Sequence, residues 1–163
     1  MVKWEDLKYF KKESTTDKWG DPDRIDKFLL LYLDEFRDAI GTPLIVTSGF
    51  RKGDPGQHGL GRAVDVVAPN FGGSLFDLYL IAERFNFSGI GVYRDWLYEG
   101  KRVGGLHLDT RMLIGTYKKE FMSARWLCIR PGTQGSLDAN SILSVKQVYI
   151  PLNHENLRKE GII

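Results

Sequence analysis

Ile25, Phe28, Leu29, Tyr32, Leu33, Phe36 and Ile40 recur at steps of three and four residues, with charged side chains between them. That period lays one wide apolar stripe along an amphipathic helix. Asp21 can cap it, Pro22 suits its first turn and Gly41 closes its far end, so a helix is expected over residues 22–40. A stripe of that width belongs against a sheet. A second helix opens at Ser74, where Asp77 three residues on completes a capping-box variant. Its apolar positions run through Leu75, Leu78, Ile81, Ala82 and Phe85.

Between and after the helices the pattern shortens. Residues 44–47 and 63–68 read as buried strands, and the glycine-rich stretch between them reads as a loop. Residues 90–93 and 106–109 read as two more strands, joined by a polar turn around Glu99, Gly100 and Lys101. Residues 125–129 read as a last strand, followed by a loop-rich region after Pro131 with a weak strand near 145–150 and a polar tail. Residues 1–20, charged and aromatic, form a short opening segment. Helix, strands, helix, strands is the order of an α+β fold: a small, mainly antiparallel sheet with helices packed on one side.

Composition narrows the chemistry. Hydrophobic residues make up 42% and charged residues 27% of 163, the balance of one globular domain rather than of a disordered chain. A net charge of +2, with scattered Lys and Arg, offers no field for nucleic acid, and no such partner is expected. Cys128 is the single cysteine, which excludes an intrachain disulfide and a thiolate zinc cluster. Any metal must be held by His and carboxylate. The opening MVKWEDLKYFKKE has no apolar core of a signal peptide, and no run is long enough to span a bilayer. The expectation is synthesis in the cytoplasm, no membrane partner, and action as a monomer.

Three histidines exist, and two stand in unusual settings. In the stretch from Gln57 to Asp65, Gly59 and Gly61 argue against a helix and for a turn that folds His58 back beside Asp65. In Leu106-His107-Leu108-Asp109, alternation sets His107 and Asp109 on one face and two leucines on the other. Two imidazoles and a carboxylate match the three-ligand pattern of catalytic zinc, which keeps one position open. His58, Asp65 and His107 are expected to converge at one edge of the sheet, opposite the first helix. His154 is read as solvated. Tyr93, Trp96, Tyr98 and Trp126 either line a groove beside the metal or belong to the core, with the core favoured.

These residues stand in a familiar order. Ser48-Gly49-Phe50-Arg51, His58-x-x-Gly61-x-Ala63-x-Asp65, Gly89-Ile90-Gly91-Val92-Tyr93 and His107-x-Asp109-x-Arg111 together resemble the zinc D-alanyl-D-alanine carboxypeptidases. The relatives of that family include L-alanyl-D-glutamate endopeptidases of bacteria and phages and the metal-binding domain of hedgehog proteins. The resemblance spans roughly residues 8–127, by motif order and spacing. It implies a hedgehog/DD-peptidase-like fold, with residues 1–130 as the zinc peptidase-like domain and 131–163 as an extension packed on it. It also implies zinc on His58, Asp65 and His107, a peptidoglycan peptide as substrate, and Arg51 as counter-charge for a substrate carboxylate or carbonyl. Such an enzyme would act on the cell wall after release, or as part of a phage.

Arg51 has a second reading, as a surface arginine paired with Asp54. The chain also departs from the family pattern twice. Many relatives carry Ser where this chain has Gly56. Several carry Glu or Asp as general base three residues before the last histidine, where this chain has Gly104. Asp109 is a candidate for that proton transfer, or it orients a ligand from behind; Asp95 and Glu99 are further candidates. The missing base leaves a second class open: a non-catalytic, zinc-stabilised module that binds cell-wall peptide or builds a virion.

Overall fold

The computed structural model of the chain describes residues 2–111, 124–131, 142 and 144–163. Among the described residues it has the helices α1 (Lys27–Ile40), α2 (Leu75–Ala82) and α3 (His154–Lys159). Its strands are β1 (Ile45–Ser48), β2 (Ala63–Val67), β3 (Gly89–Tyr93), β4 (Leu97–Tyr98), β5 (Lys101–Arg102), β6 (Gly105–Asp109), β7 (Ala124–Ile129) and β8 (Val148–Pro151). Six of them form one sheet in the order β1-β2-β6-β3-β7-β8, antiparallel throughout except where β3 runs parallel to β7. β4 and β5 make a separate hairpin that turns at Glu99 and Gly100, both at positive φ. The architecture is α+β with a mostly antiparallel sheet, as the pattern of the chain predicts.

Strand alternation sorts the side chains onto two faces. Val64 and Val66, Leu106 and Leu108, Ile90 and Val92, and Leu127 and Ile129 join Leu29, Leu30, Leu33 and Phe36 of α1 and Leu78 and Ala82 of α2 in one buried core. The helices therefore cover that face. The intervening residues, Asp65, His107, Gly91 and Trp126, point to the other face.

α1 begins five residues later than expected. Asp21 does cap a turn, accepting from the Asp23 backbone N–H at 3.1 Å, but that turn is a short 3-10 segment over Pro22–Arg24. Ile25 is then extended (φ −74°, ψ 132°), which lets its side chain bury. Asp26 caps the α-helix proper, accepting from Leu29 N–H at 3.0 Å. The Asp26 N–H meanwhile donates to the Gly61 carbonyl at 2.8 Å, so the break ties the helix start to the loop carrying His58. The capping box at Ser74 and Asp77 is present, while α2 stops at Ala82 and leaves Phe85 and Phe87 to pack edge-on against Phe36.

After Pro131, residues 132–141 lie outside the described residues. β8, three residues later than the weak strand signal, extends the sheet on β7, and Leu157 and Ile162 join the core. The tail is thus built into the same sheet and core. His154 is the exposed first residue of α3. No helix among the described residues is long and apolar enough to cross a membrane.

Leu33 is fully buried between α1 and the sheet. Leu33→Ala is expected to cost about 2–5 kcal/mol, through lost burial and the cavity left behind. Urea unfolding followed by circular dichroism reads that loss directly, and a change below about 1 kcal/mol would place α1 outside the cooperative core.

Candidate metal centre

One row of the sheet makes the floor of the site. In register across the strands stand Ser48, Asp65, His107, Gly91, Trp126 and Pro151. Asp65 and His107 are therefore direct cross-strand partners on neighbouring strands. They lie over the middle of the sheet rather than at its edge, because β6 is inserted between β2 and β3.

His58 reaches them from above. Its loop is closed by backbone hydrogen bonds from Leu60 and Arg62 to the Gln57 carbonyl and from Arg51 and Gly61 to the His58 carbonyl, at 2.9–3.2 Å. Gly61 completes the turn at φ 71°, a left-handed conformation that a side chain would strain. His58 Nδ1 lies 2.7 Å from the Gly49 carbonyl. A carbonyl only accepts, so Nδ1 carries the proton and Nε2 presents a lone pair.

His107 is fixed the opposite way round. Its Nε2 lies 3.1 Å from Asp109 Oδ2, so Nε2 donates and Nδ1 faces the other ligands. The resulting triangle has His107 Nδ1 at 3.0 Å from Asp65 Oδ1, His58 Nε2 at 3.3 Å from the same oxygen, and the two ring nitrogens 3.3 Å apart. With both rings neutral, three converging acceptor atoms repel unless a cation, a proton or a metal ion, sits among them. Tetrahedral bonds of about 2.0–2.1 Å separate neighbouring ligand atoms by roughly 3.3 Å. The buried His58-Asp65-His107 group could thus hold a metal ion, and its donor set of two imidazoles and one carboxylate fits.

The electrostatics follow the same contacts. Burial pushes the Asp65 carboxyl up, but hydrogen bonds from His107 and His58 outweigh it and hold it at about 2. Burial likewise pushes Asp109 up, and Arg111 and His107 hold it at about 2. His107 is pushed down by burial, yet the hydrogen bonds to Asp109 and Asp65 win and raise it above its ordinary value.

A cavity of about 610 Å³ opens over this floor. Arg51 and Asp54 stand in its wall, their side chains 3.3 Å apart, so Arg51 pairs with Asp54, as its second reading has it, while also lining the cavity. Tyr93, Trp96 and Trp126 also line it, Tyr93 while buried with the core residues and the two tryptophans half-buried; Tyr98 does not. Tyr93 stacks on Trp96 with ring centres 4.1 Å apart, and Trp126 donates to the Tyr93 hydroxyl at 3.4 Å. Glycines make the room. A Cβ on Gly91 would come within 2.4 Å of the Trp126 ring, and one on Gly89 within 2.1 Å of Asp109 Oδ2.

Asp109 is fully buried behind His107 and is absent from the cavity wall among the described residues. Its contact with His107 Nε2 supports the second of its two readings, orientation of the ring. Asp95 is locked by Arg94 at 2.8–2.9 Å and by the Arg130 backbone N–H at 2.7 Å. Glu99 sits exposed on the β4–β5 turn. Gly104 has φ 65°, and a Cβ there would meet Leu75 Cδ2 at 2.8 Å, so a side chain at this position would aim at α2. Sequence reasoning passed over Gln57, Gln147 and Tyr149 in the wall, and over any role for Arg111. Alternation from His107 through Asp109 to Arg111 was the available signal for the last.

No protein-family model matches the chain, and neither a curated protein nor a solved structure matches it.

The raised value of His107 sets a pH dependence. A metal needs Nδ1 unprotonated, so protons compete for the site as pH falls through that value, which lies above 6.5. Affinity for a divalent cation is expected to weaken from pH 8 to pH 6, approaching roughly tenfold per unit for one displaced proton. Competition with a chromogenic chelator at fixed ionic strength measures it; a flat profile would contradict the arrangement.

Proposed function

We propose that the chain is a zinc-dependent peptidase of peptidoglycan stem peptides, a carboxypeptidase or endopeptidase with the hedgehog/DD-peptidase fold. The observation that carries this reading is the triangle of His58 Nε2, His107 Nδ1 and Asp65 Oδ1, each aimed inward at the floor of an open cavity. The order of motifs that resembles the zinc carboxypeptidases points the same way. Zinc held there supplies Lewis acidity for a water and for the scissile carbonyl.

The remaining work falls to the chain's own side chains. Arg51, half exposed in the wall, offers a planar fork suited to a carboxylate, a group in which stem peptides are rich. Gln57 Oε1 is buried in the wall with no hydrogen-bond partner among the described residues, and a substrate amide N–H would satisfy it. Proton transfer is assigned to Asp54. Besides Asp65, it is the carboxylate that lines the cavity among the described residues, and its pairing with Arg51 keeps it in place. In the hydrolysis the water oxygen bonds to the carbonyl carbon and the C–N bond breaks. Asp54 takes a proton from the water and returns it to the leaving amine.

Purified protein is expected to hold about one zinc per chain, and His58→Ala and His107→Ala each to abolish tight binding. Zinc-loaded protein should release free amino groups from purified cell walls. Arg51→Lys keeps charge without the fork and should lower that rate with zinc retained. Asp54→Asn should lower it on the order of 10²-fold or more, again with zinc retained. Full activity in Asp54→Asn would move the proton transfer elsewhere. No release from stem peptides of several chemotypes would replace the enzyme by a zinc-stabilised cell-wall-binding or virion module.

A further inference from the structure

We propose that Arg111 is a positioning residue for the metal centre: it clamps the Asp109 carboxylate and through it holds His107 with Nδ1 turned to the metal. The proposal rests on the metal reading of the site but not on the hydrolytic one.

Arg111 meets Asp109 along the Nε–Nη2 edge of its guanidinium. Nε lies 2.8 and 3.0 Å from the two carboxylate oxygens, Nη2 bonds Oδ2, and the Arg111 backbone N–H reaches Oδ1 at 3.1 Å. The plane of the carboxylate is thereby fixed. The Oδ2 atom that takes the Nη2 bond also takes the His107 Nε2–H, at 3.1 Å. Asp109 has no exposure to solvent, so these protein donors are the ones that satisfy it. On its other side Gly89 presents no side chain, and only that absence leaves space for the carboxylate.

Trp126 closes the arrangement. Its ring lies 5.1 Å from the His107 ring and 5.6 Å from the Arg111 guanidinium, so one indole seats both the ligand and the clamp. Arg111 is itself partly exposed in the cavity wall, with 30% of its side chain accessible. Without the guanidinium the buried carboxylate keeps two donors, the backbone N–H of residue 111 on Oδ1 and His107 Nε2–H on Oδ2, and loses the charged bonds that fix its plane. The acceptor that sets the rotation and tautomer of the ring is then held less tightly. Groups behind a metal ligand commonly change metal affinity 10–100-fold.

The test is zinc affinity, read by competition with a chelator, on wild type, Arg111→Gln, Asp109→Asn and the double variant. Arg111→Gln should raise the zinc Kd roughly 10–100-fold, as should Asp109→Asn. Because the two act through one contact, the double variant should be little worse than either single one. In the zinc-loaded wild type the His107 Nε2–H should give a slowly exchanging proton resonance, lost or broadened in Arg111→Gln. A general loss of packing would not single out that proton. If Arg111→Gln does not fold, Arg111→Lys serves: a raised zinc Kd supports the clamp, and a wild-type value overturns it. Unchanged affinity in Arg111→Gln, or losses that multiply in the double variant, would overturn the clamp alone. A wild-type chain without tight zinc binding would overturn the metal reading and the clamp with it.

Discussion

β2 and β6 pair antiparallel in a register that sets Asp65 directly across from His107, and the rest of the site is arranged around that pair. The register is held from the opposite face. Val64, Val66, Leu106 and Leu108 are fully buried under the helices, and each must stay there. A slip of one residue would turn His107 into the apolar core and bring a leucine to the cavity floor. Burial of ordinary aliphatic side chains thus decides where two ligand atoms meet, and the polar face inherits its geometry from the apolar one.

The site still requires crowding that an unconstrained chain would avoid. Three lone-pair atoms stand 3.0–3.3 Å apart on the floor of the cavity. They are kept together by contacts behind them: the Gly49 carbonyl on His58, and Asp109 with Arg111 on His107. The loop carrying His58 is pinned in turn to the start of α1 and to the opening segment, through Asp26 N–H to Gly61, Gly49 N–H to Lys18 and Phe50 N–H to Trp19. Glycines at 89 and 91 leave the space that Asp109 and Trp126 occupy beside the histidine. Such a cluster is preorganised for a cation, since the ligands need not gather when one arrives.

The departure at Gly104 has a local cause. The chain turns there in a left-handed conformation, with its Cα–Cβ direction toward Leu75 on the helix side of the sheet. A side chain at that position would be strained by the positive φ and would press on Leu75. The cavity instead offers Asp54 on the loop opposite, already partnered with Arg51. On the proposed reading, proton transfer and substrate recognition share one ion pair, while two of the three candidate metal ligands, Asp65 and His107, stand on the sheet.

Much of this was legible in the chain. Period-two alternation in β2 and β6, the three-and-four spacing of α1 and the Ser74 capping box depend on neighbours close in sequence, and they fix the faces and the helices. The same local chemistry, with the His-x-Asp-x-Arg pattern, singled out His58, Asp65 and His107. Other features depend on which strands become neighbours, and no local pattern carries that. β6 inserted between β2 and β3 moved the site from the edge to the middle of the sheet. Trp126, on a strand paired with β3, came to lie in the same row as His107, although 19 positions separate them in sequence. Asp109 passed behind the ring instead of into the cavity because Arg111 and Gly89 provide a buried seat there. Local sequence determined which side chains face together; long-range strand pairing, set by burial of the whole core, decided which of them touch.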